Sequence, residues 1–289
     1  MSVRLAVLGD VHLHFNEKDV SYFNQSDYDL VLFVGDLVNY APWRGKTVWP
    51  LIQELQKTTL FMPGNHDSTN VIQLIAEVLG NQPLAQISGL RQSQHYTALN
   101  KSMGNAIFCG YNVHAFDLQG FQFDIISGRP FSMGGPKLSF RPYLKKAYGI
   151  ETIQASADYI KQQVDQSQNQ NVIFFAHNGP SGLGPRRDDI WGCDFKKSEG
   201  DFGDPDLEQA IDYARHQGKN VMAVIAGHMH QGLKGGGQRK WQIEKDGTRY
   251  VNAARVPRIF KSAGQTLHHH VCLEINETDV QVSGKEIAL

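Results

Sequence analysis

The sequence has few cysteines and no excess of charge of either sign, and both features limit the classes of protein to which it can belong. Its 289 residues include three cysteines, Cys109, Cys193 and Cys272. An odd number at wide spacing fits neither a disulfide framework nor a Cys-x-x-Cys metal site, and favours a reducing compartment. The 28 Lys and Arg residues against 29 Asp and Glu leave a net charge of −1. No overall positive field gathers nucleic acid, so an anionic partner must be held locally.

Long apolar runs are absent as well. No stretch approaches the roughly 20 residues that span a bilayer. The first strand begins at Val3, without the charged and apolar regions of a secretory signal. The composition, 41% hydrophobic and 20% charged, is that of an ordinary globular protein. Because repeats, low-complexity tracts and linkers are lacking, we expect one domain over residues 1–289, located in the cytoplasm and without a membrane partner.

Short apolar strands stop repeatedly at polar motifs. Five such motifs follow strands of the buried type: Gly9-Asp10-Val11-His12, Gly35-Asp36, Gly64-Asn65-His66-Asp67, His177-Asn178 and Gly227-His228-Met229-His230. At the third motif, Pro63-Gly64 ends the strand, and we expect Gly64 to adopt a backbone conformation closed to residues with a Cβ. Asp10 and His12 flank one residue, so in extended backbone their side chains leave on the same face. The same spacing places His228 and His230 on one face.

Helical patterns alternate with these strands. They cover residues 17–23, 47–57, 69–79, 153–164 and 205–216, the last beginning with a cap at Asp204 and Pro205 in the first position. The alternation predicts an α/β protein with a parallel sheet and right-handed crossovers. Because the carboxyl ends of parallel strands lie at one edge, where open α/β sheets bind ligands, we expect the motif side chains to converge there.

Three regions interrupt the alternation. Residues 87–127 read as short strands, and residues 128–150 as an irregular, basic connection that is either solvated surface or a cap over the substrate. A glycine-rich loop over 178–204 carries Arg186 and Arg187, whose guanidinium groups match phosphate oxygens; alternatively they form a solvated turn with the aspartates that follow. After residue 241 the pattern is antiparallel strands. There His268-His269-His270 has a structural or surface role, because neighbours on a strand face opposite ways.

The five motifs, in this order and each after a strand, resemble those of the calcineurin-like metallophosphoesterases. The resemblance covers about Val3 to His230. Residues 178–184 and 203–207 are also similar to a little-characterised branch of that superfamily found in photosynthetic organisms. The resemblance implies a four-layer α-β-β-α sandwich of two mixed sheets flanked by helices, and a metal-dependent hydrolase of phosphoesters.

The resemblance also implies the metal ligands: Asp10, His12 and His230 for one ion, Asn65, His177 and His228 for a second, and Asp36 as a bridge between them. Seven oxygen and nitrogen donors exceed one ordinary coordination shell and suit two ions. Without a thiolate among them, manganese or iron fits best, with zinc as an alternative. The implied reaction is attack of a metal-bridging hydroxide on the phosphorus of a phosphomonoester or phosphodiester. In the family, the imidazole corresponding to His66 contacts the phosphate or protonates the departing oxygen.

Two departures from the family pattern limit the substrate. Protein Ser/Thr phosphatases of the superfamily place an Asp three residues after the bridging Asp and an Arg after it, where this sequence has Asn39 and Tyr40. Purple acid phosphatases place a metal-binding Tyr at the position of Asn39, so Tyr40 is displaced by one. We therefore expect a small phosphorylated substrate. Arg255 and Arg258 are weaker candidates than Arg186 and Arg187 for binding it.

Two other functions compete with this one. Repair exonucleases of the superfamily share the Gly-Asn-His-Asp pattern, but the near-zero net charge and the lack of interleaved aromatic and basic residues weigh against a nuclease. A non-catalytic interaction module on the same scaffold is the other alternative. Such relatives lose ligands or the motif histidine, and none is lost here.

Overall fold

The computed structural model describes residues 2–39, 45, 47–196, 198 and 200–289. Within these residues the elements follow in the order β1 (Val3–Leu8), α1 (Glu17–Gln25), β2 (Leu30–Phe33), α2 (Trp49–Gln53), β3 (Thr58–Phe61), α3 (Val71–Leu79), α4 (Gln82–Ser88), α5 (Gln92–Ser102), β4 (Ile107–Phe108), β5 (Val113–Leu118), β6 (Phe121–Ser127), α6 (Arg141–Tyr148), α7 (Ile153–Gln166), β7 (Asn171–Asn178), α8 (Pro205–His216), β8 (Asn220–Gly227), β9 (Gln242–Lys245), β10 (Thr248–Asn252), β11 (Ile259–Ser262), β12 (Gln265–Ile275) and β13 (Val280–Ala288).

The strands form two mixed sheets. The first has the order β11-β12-β1-β2-β3-β4, with β13 beside β12, and the second has the order β5-β6-β7-β8-β10-β9. In the first sheet β1, β2, β3 and β4 are parallel, and β12 joins β1 antiparallel. In the second, β6, β7, β8 and β10 are parallel. The parallel strands that carry the polar motifs therefore end at the same side of each sheet.

The two sheets pack face to face, and helices cover their outer faces. Alternate side chains of β1 divide between two cores: Leu5 and Val7 lie in the core between the sheets, and Ala6 lies in the core under α1, α2 and α5. The second sheet contributes Phe175 to the central core, while Phe174 packs under α6, α7 and α8. This alternation follows from the two-residue period of a strand. The predicted four-layer sandwich is confirmed.

Some local predictions were wrong. Residues 87–127, read as short strands, hold β4, β5 and β6, as predicted, but also the end of α4 and all of α5. The apolar pattern did not reveal α5, because this helix is polar and buries little beyond Gln92 and Leu99. Residues 128–150 are not wholly irregular, since α6 occupies 141–148. The helix expected over 47–57 is limited to Trp49–Gln53. None of the helices in the described part of the chain has the length and apolar character needed to cross a bilayer.

Candidate metal centre

The polar motifs leave their strands through tight turns. Four motif residues other than glycine have a positive φ: Asp10 at 46°, His12 at 44°, Asp36 at 50° and His228 at 66°. Side chains with a Cβ rarely adopt this region, and each such residue costs about 1–3 kcal/mol. The prediction that Asp10 and His12 share a face of extended backbone was therefore wrong in its geometry. A turn brings them together, and the strain is concentrated where the chemistry is expected.

Potential metal ligands lie in two groups, and within each group the nitrogen and oxygen atoms are within 4.8 Å of one another: Asp10, His12 and His230 in the first, and Asp36, His177 and His228 in the second. Asn65 adjoins the second group, with its Oδ1 3.0 Å from His177 Nε2. The predicted convergence of strand ends thus brings all seven residues to one place. His228 and His230, expected on one face, lie in different groups because His228 sits in a left-handed turn.

Backbone carbonyls determine the tautomer of each histidine in the second group. His177 donates its Nδ1–H to the carbonyl of Val34 at 2.6 Å, and His228 donates its Nε2–H to the carbonyl of Met133 at 3.1 Å. The other nitrogens, His177 Nε2 and His228 Nδ1, are then acceptors, and they lie 3.2 Å apart. Two lone pairs at that distance repel each other unless a proton or a metal ion lies between them.

The first group also brings nitrogen and oxygen acceptors close together. His12 donates its Nδ1–H to the carbonyl of Val38 at 3.0 Å, which leaves its Nε2 3.3 Å from Nε2 of His230. Oδ1 of Asp10 lies 3.7 Å from the same His230 nitrogen. That oxygen is buried and accepts no hydrogen bond from the described residues. A buried acceptor without a donor costs about 1–3 kcal/mol, more when charged, and a cation would remove that cost.

Asp36 of the second group lies beside His66. Oδ1 of Asp36 is 3.6 Å from His177 Nε2, and its Oδ2 is 3.8 Å from His66 Nε2. The backbone N–H of His66 donates to Asp36 Oδ1 at 2.9 Å. The His66 ring also lies edge-on to the ring of His12, with 5.5 Å between centroids. His66 therefore borders both groups without belonging to either.

The centre holds acidic oxygens among imidazoles that resist protonation. Burial, followed by the charge of Asp36, raises the pKa of Asp10. Burial acts on Asp36 in the same direction, but the neighbouring imidazoles, His66 first, outweigh it and lower the pKa of Asp36. Burial also lowers the pKa of His228 to about 3 and that of His230 to about 4. A bound cation would supply the positive charge that neutral imidazoles do not.

Glycine at the central motif provides space. A Cβ on Gly64 would overlap with Oδ1 of Asp36 and lie 2.6 Å from Cε1 of His177, while the φ of Gly64 is outside the left-handed region. The prediction of an unusual backbone conformation at Gly64 was wrong, because the close approach of the carboxylate is what requires glycine. Gly227 has the same function for Asp10, whose Oδ2 would overlap with a Cβ there.

Asp67 is a positioning residue to which the motif alone assigns no role. Its carboxylate is buried and accepts hydrogen bonds from three backbone N–H groups, those of Asp36 at 2.8 Å, Gly64 at 2.9 Å and Leu37 at 3.1 Å. It thereby joins the turn after β2 to the turn after β3. The sequence signal that could have identified this role of Asp67 is its position directly after His66, within the motif itself.

The candidate substrate arginines make other contacts. Arg186 is exposed and pairs with Asp188 at 3.1 Å, as the alternative interpretation of a solvated turn expects. Arg187 donates to the carbonyls of Lys234 and Gly236. Neither is among the residues that line the cavity beside Asp36. Their role in substrate binding stays a prediction that no contact supports.

The histidine tract lies away from the centre, within β12. His268 Nδ1 is 2.9 Å from Asp19 Oδ1, and Arg258, one of the weaker substrate candidates, donates to the same carboxylate at 2.8 Å. His270 Nε2 is 2.7 Å from the hydroxyl of Tyr28. These buried contacts give the tract and Arg258 a structural role. Tyr40 lies outside the described residues, so the expectation attached to it stays a prediction.

A cavity of about 480 Å³ opens beside Asp36, His66 and His228. Its walls come from α3, from residues 133–139 in the connection after β6 and from residues 228–234 after β8. The loop after β7 contributes Asp194, Phe195, Lys196 and Phe202. Two segments singled out in the sequence, 128–150 and 178–204, thus both border the cavity. Their roles as cap and substrate loop stay predictions.

A four-layer sandwich with two groups of oxygen and nitrogen ligands at its strand ends is suited to a hydrolase that uses a pair of metal ions. A sequence model of the calcineurin-like phosphoesterases matches residues 3–232. The chain belongs to that family, which supports metal-dependent hydrolysis of phosphoesters. The narrower resemblance to a branch in photosynthetic organisms stays a prediction.

No curated protein matches the sequence. Among solved structures, one crystal structure matches with a TM-score of 0.55 at 12% identity, over 98% of this chain and 99% of its own. A dimetal phosphatase from Danio rerio matches with a TM-score of 0.49 at 12% identity, over 99% of this chain and 98% of its own. Vacuolar protein sorting 29 from Cryptosporidium parvum matches with a TM-score of 0.34 at 10% identity, over 100% of this chain and 99% of its own. At these identities the likeness concerns the fold alone.

Proposed function

We propose that this protein hydrolyses a small phosphomonoester or phosphodiester with the aid of two metal ions. The observation that carries the proposal is the convergence of acceptors around His177. Its Nε2 lies 3.2 Å from Nδ1 of His228 and 3.0 Å from Oδ1 of Asn65. Both ring tautomers are held by carbonyls on the far side of the rings. Such a set of lone pairs fits a cation.

The ligands divide as the two groups do: Asp10, His12 and His230 would hold one ion, Asn65, His177 and His228 the other, and Asp36 both. Oxygen and nitrogen donors without a thiolate suit manganese or iron, with zinc as an alternative. When bound, the ions would polarise the phosphoryl oxygens and lower the pKa of water. Oδ1 of Asp36 lies near His177 of the second group, and its Oδ2 lies near His66, whose ring meets that of His12 in the first group.

The chain itself would orient the substrate and supply a proton. His66 lines the cavity and lies 3.8 Å from Asp36, so its imidazole can donate to a phosphoryl oxygen or protonate the departing oxygen. Lys137, Lys196 and Lys234 also line the cavity, and their positive charge would attract an anionic substrate. These lysines would take the role that the sequence patterns predicted for Arg186 and Arg187.

Assays with and without added metal test the proposal. The purified protein, depleted of metal and then supplied with Mn²⁺, Fe²⁺ or Zn²⁺, should hydrolyse p-nitrophenyl phosphate or its bis ester. Asp36→Asn should remove most of this activity, because the shared carboxylate loses its charge, whereas Asp117→Asn on the exposed face of β5 should not. Inactivity with every metal, on these and on nucleotide substrates, would contradict the proposal. A folded protein that binds no metal would instead favour the non-catalytic module.

A further inference from the structure

The cavity beside Asp36 and His66 has an aromatic wall. Phe195 is 44% exposed, and its ring meets the ring of Phe202 edge-on, with 5.0 Å between centroids and 82° between planes. Phe202 is fixed in turn, because Gly135 donates its N–H to the Phe202 carbonyl at 2.9 Å. A Cβ on Gly134 would lie 2.7 Å from the same ring. The glycine pair thus allows the connection after β6 to pack directly against Phe202.

The remaining walls are mostly apolar, and positive charge lies at the aromatic side. Val78 of α3, Met133 and Leu138 face the same space. Nζ of Lys234 lies 5.8 Å from the centroid of the Phe195 ring. The cavity volume of about 480 Å³ exceeds what a phosphate group fills. A phosphoester that binds at the histidines would therefore place its organic group among apolar side chains.

We propose that this cavity is the subsite for a planar aromatic group of the substrate, which stacks on Phe195 while the phosphate lies at the metal centre. This inference rests on the proposed function. An exposed phenyl ring inside a pocket gains contact area and offset-stacking energy when an aromatic ring covers it. Lys234 adds a cation beside the stacked rings. The substrate class is therefore an aromatic phosphoester rather than a phosphorylated sugar or polyol.

Benzyl phosphate and methyl phosphate test the subsite. Because their alcohols have similar basicity, the two esters are matched in the chemical step and differ in the group that the subsite would bind. We expect kcat/KM for benzyl phosphate to be about tenfold higher, in line with the stacking of one ring. In Phe195→Ala the ratio should fall toward one, and in Phe195→Trp it should persist. Phe260→Ala is the matched control: this ring lies on β11 against Arg255, outside the residues that line the cavity.

Other outcomes overturn the inference. Equal rates for both substrates in the native protein would do so, as would a Phe195→Ala protein of native thermal stability with an unchanged ratio. If cyclohexylmethyl phosphate matches benzyl phosphate, the subsite is apolar but not aromatic, and the inference is rejected. If neither ester is hydrolysed with any metal, calorimetry tests the subsite separately, and the proposed function fails only if the p-nitrophenyl esters and nucleotides are left intact as well. Tighter binding of benzylphosphonate than of methylphosphonate supports the subsite, and equal or absent binding rejects it.

Discussion

Individual side chains at the metal centre are oriented by the backbone around them. His12, His177 and His228 each donate one ring N–H to a main-chain carbonyl, which leaves the opposite nitrogen as an acceptor. Such partners fix ring orientation and tautomer at metal sites. Glycines provide the space for the carboxylates, and Asp67 holds two of the turns together. The chemistry of single residues here depends on neighbours that would touch neither metal nor substrate.

Gly64→Ala should disable the centre. The added methyl group would overlap with Asp36 Oδ1, so the carboxylate must move from its place in the second group. We expect metal content to fall below one ion per chain and activity to fall by about a hundredfold, since a misplaced catalytic group can cost that much. Elemental analysis alongside the melting temperature checks this. A native metal content in the variant would show that Asp36 does not need this space.

Asp67→Ala should destabilise the fold more than Asp67→Asn. The alanine leaves three buried N–H groups unpaired, each at about 1–3 kcal/mol, whereas the amide oxygen of asparagine can still accept. We expect the free energy of unfolding in urea to fall by at least about 3 kcal/mol in the alanine variant and by less in the asparagine variant. Equal values for the two variants would contradict this role of the carboxylate.

Whole elements are tied to the centre through buried polar contacts. α8 begins after Asp204 as predicted, but this carboxylate makes no capping bond and accepts instead from Arg129 at 2.9 Å and Ser132 at 2.7 Å. Ser132 Oγ accepts the N–H of Gly134 at 3.0 Å. The residue between them, Met133, supplies the carbonyl that orients His228. The start of α8 and the connection after β6 thus hold a proposed ligand in place.

Ser132→Ala should weaken metal binding while the fold is kept. Without the hydroxyl, the Met133 carbonyl is less firmly held, and loss of such an outer contact lowers metal affinity by about 10–100-fold. Competition with a chelator for Mn²⁺ measures the affinity. Ser102→Ala is the control, because the Ser102 hydroxyl donates to the carbonyl of Leu99 at the end of α5. An unchanged affinity of Ser132→Ala for Mn²⁺ would show that these hydrogen bonds do not support the metal centre.

The histidines of β12 should make stability depend on pH. Burial, helped by the charge of Arg258, lowers the pKa of His269 and of His270 to about 3. In the unfolded chain their pKa is about 6.5, so between these values the unfolded state binds more protons. The stabilisation is complete above pH 6.5 and is lost as the pH falls toward 3. Each histidine contributes at most about 1.4 kcal/mol per pH unit.

Urea unfolding between pH 7 and pH 4 measures this effect. Replacing His269 with Leu should reduce the slope of unfolding free energy against pH by the share of one histidine. His114→Leu is the comparison, because this histidine on β5 is only half-buried. A slope unchanged by His269→Leu would mean that the residue is not buried in its neutral form.

Across the whole molecule, the sequence patterns predicted the parallel strands and the convergence of the motifs, because buried parallel strands have a plain apolar signature and end at one edge. The four layers followed from the family resemblance. These patterns failed where contacts between distant parts of the chain determine the local structure. The polar helix α5 has too few apolar residues to reveal its buried face, and the left-handed turns at Asp10 and His228 have no sequence signal. The cavity wall at Phe195 depends on loop packing, which spacing along the chain does not record. The cytoplasmic location stays a prediction.

The central claim is that residues far apart in the sequence hold two ions around one shared carboxylate. Electron paramagnetic resonance of the metal-free protein titrated with Mn²⁺ tests it most directly. We predict binding that saturates at two ions per chain with the spectrum of a spin-coupled pair, and loss of the coupling in Asp36→Asn. Saturation at one ion, or two ions with uncoupled spectra, would contradict it.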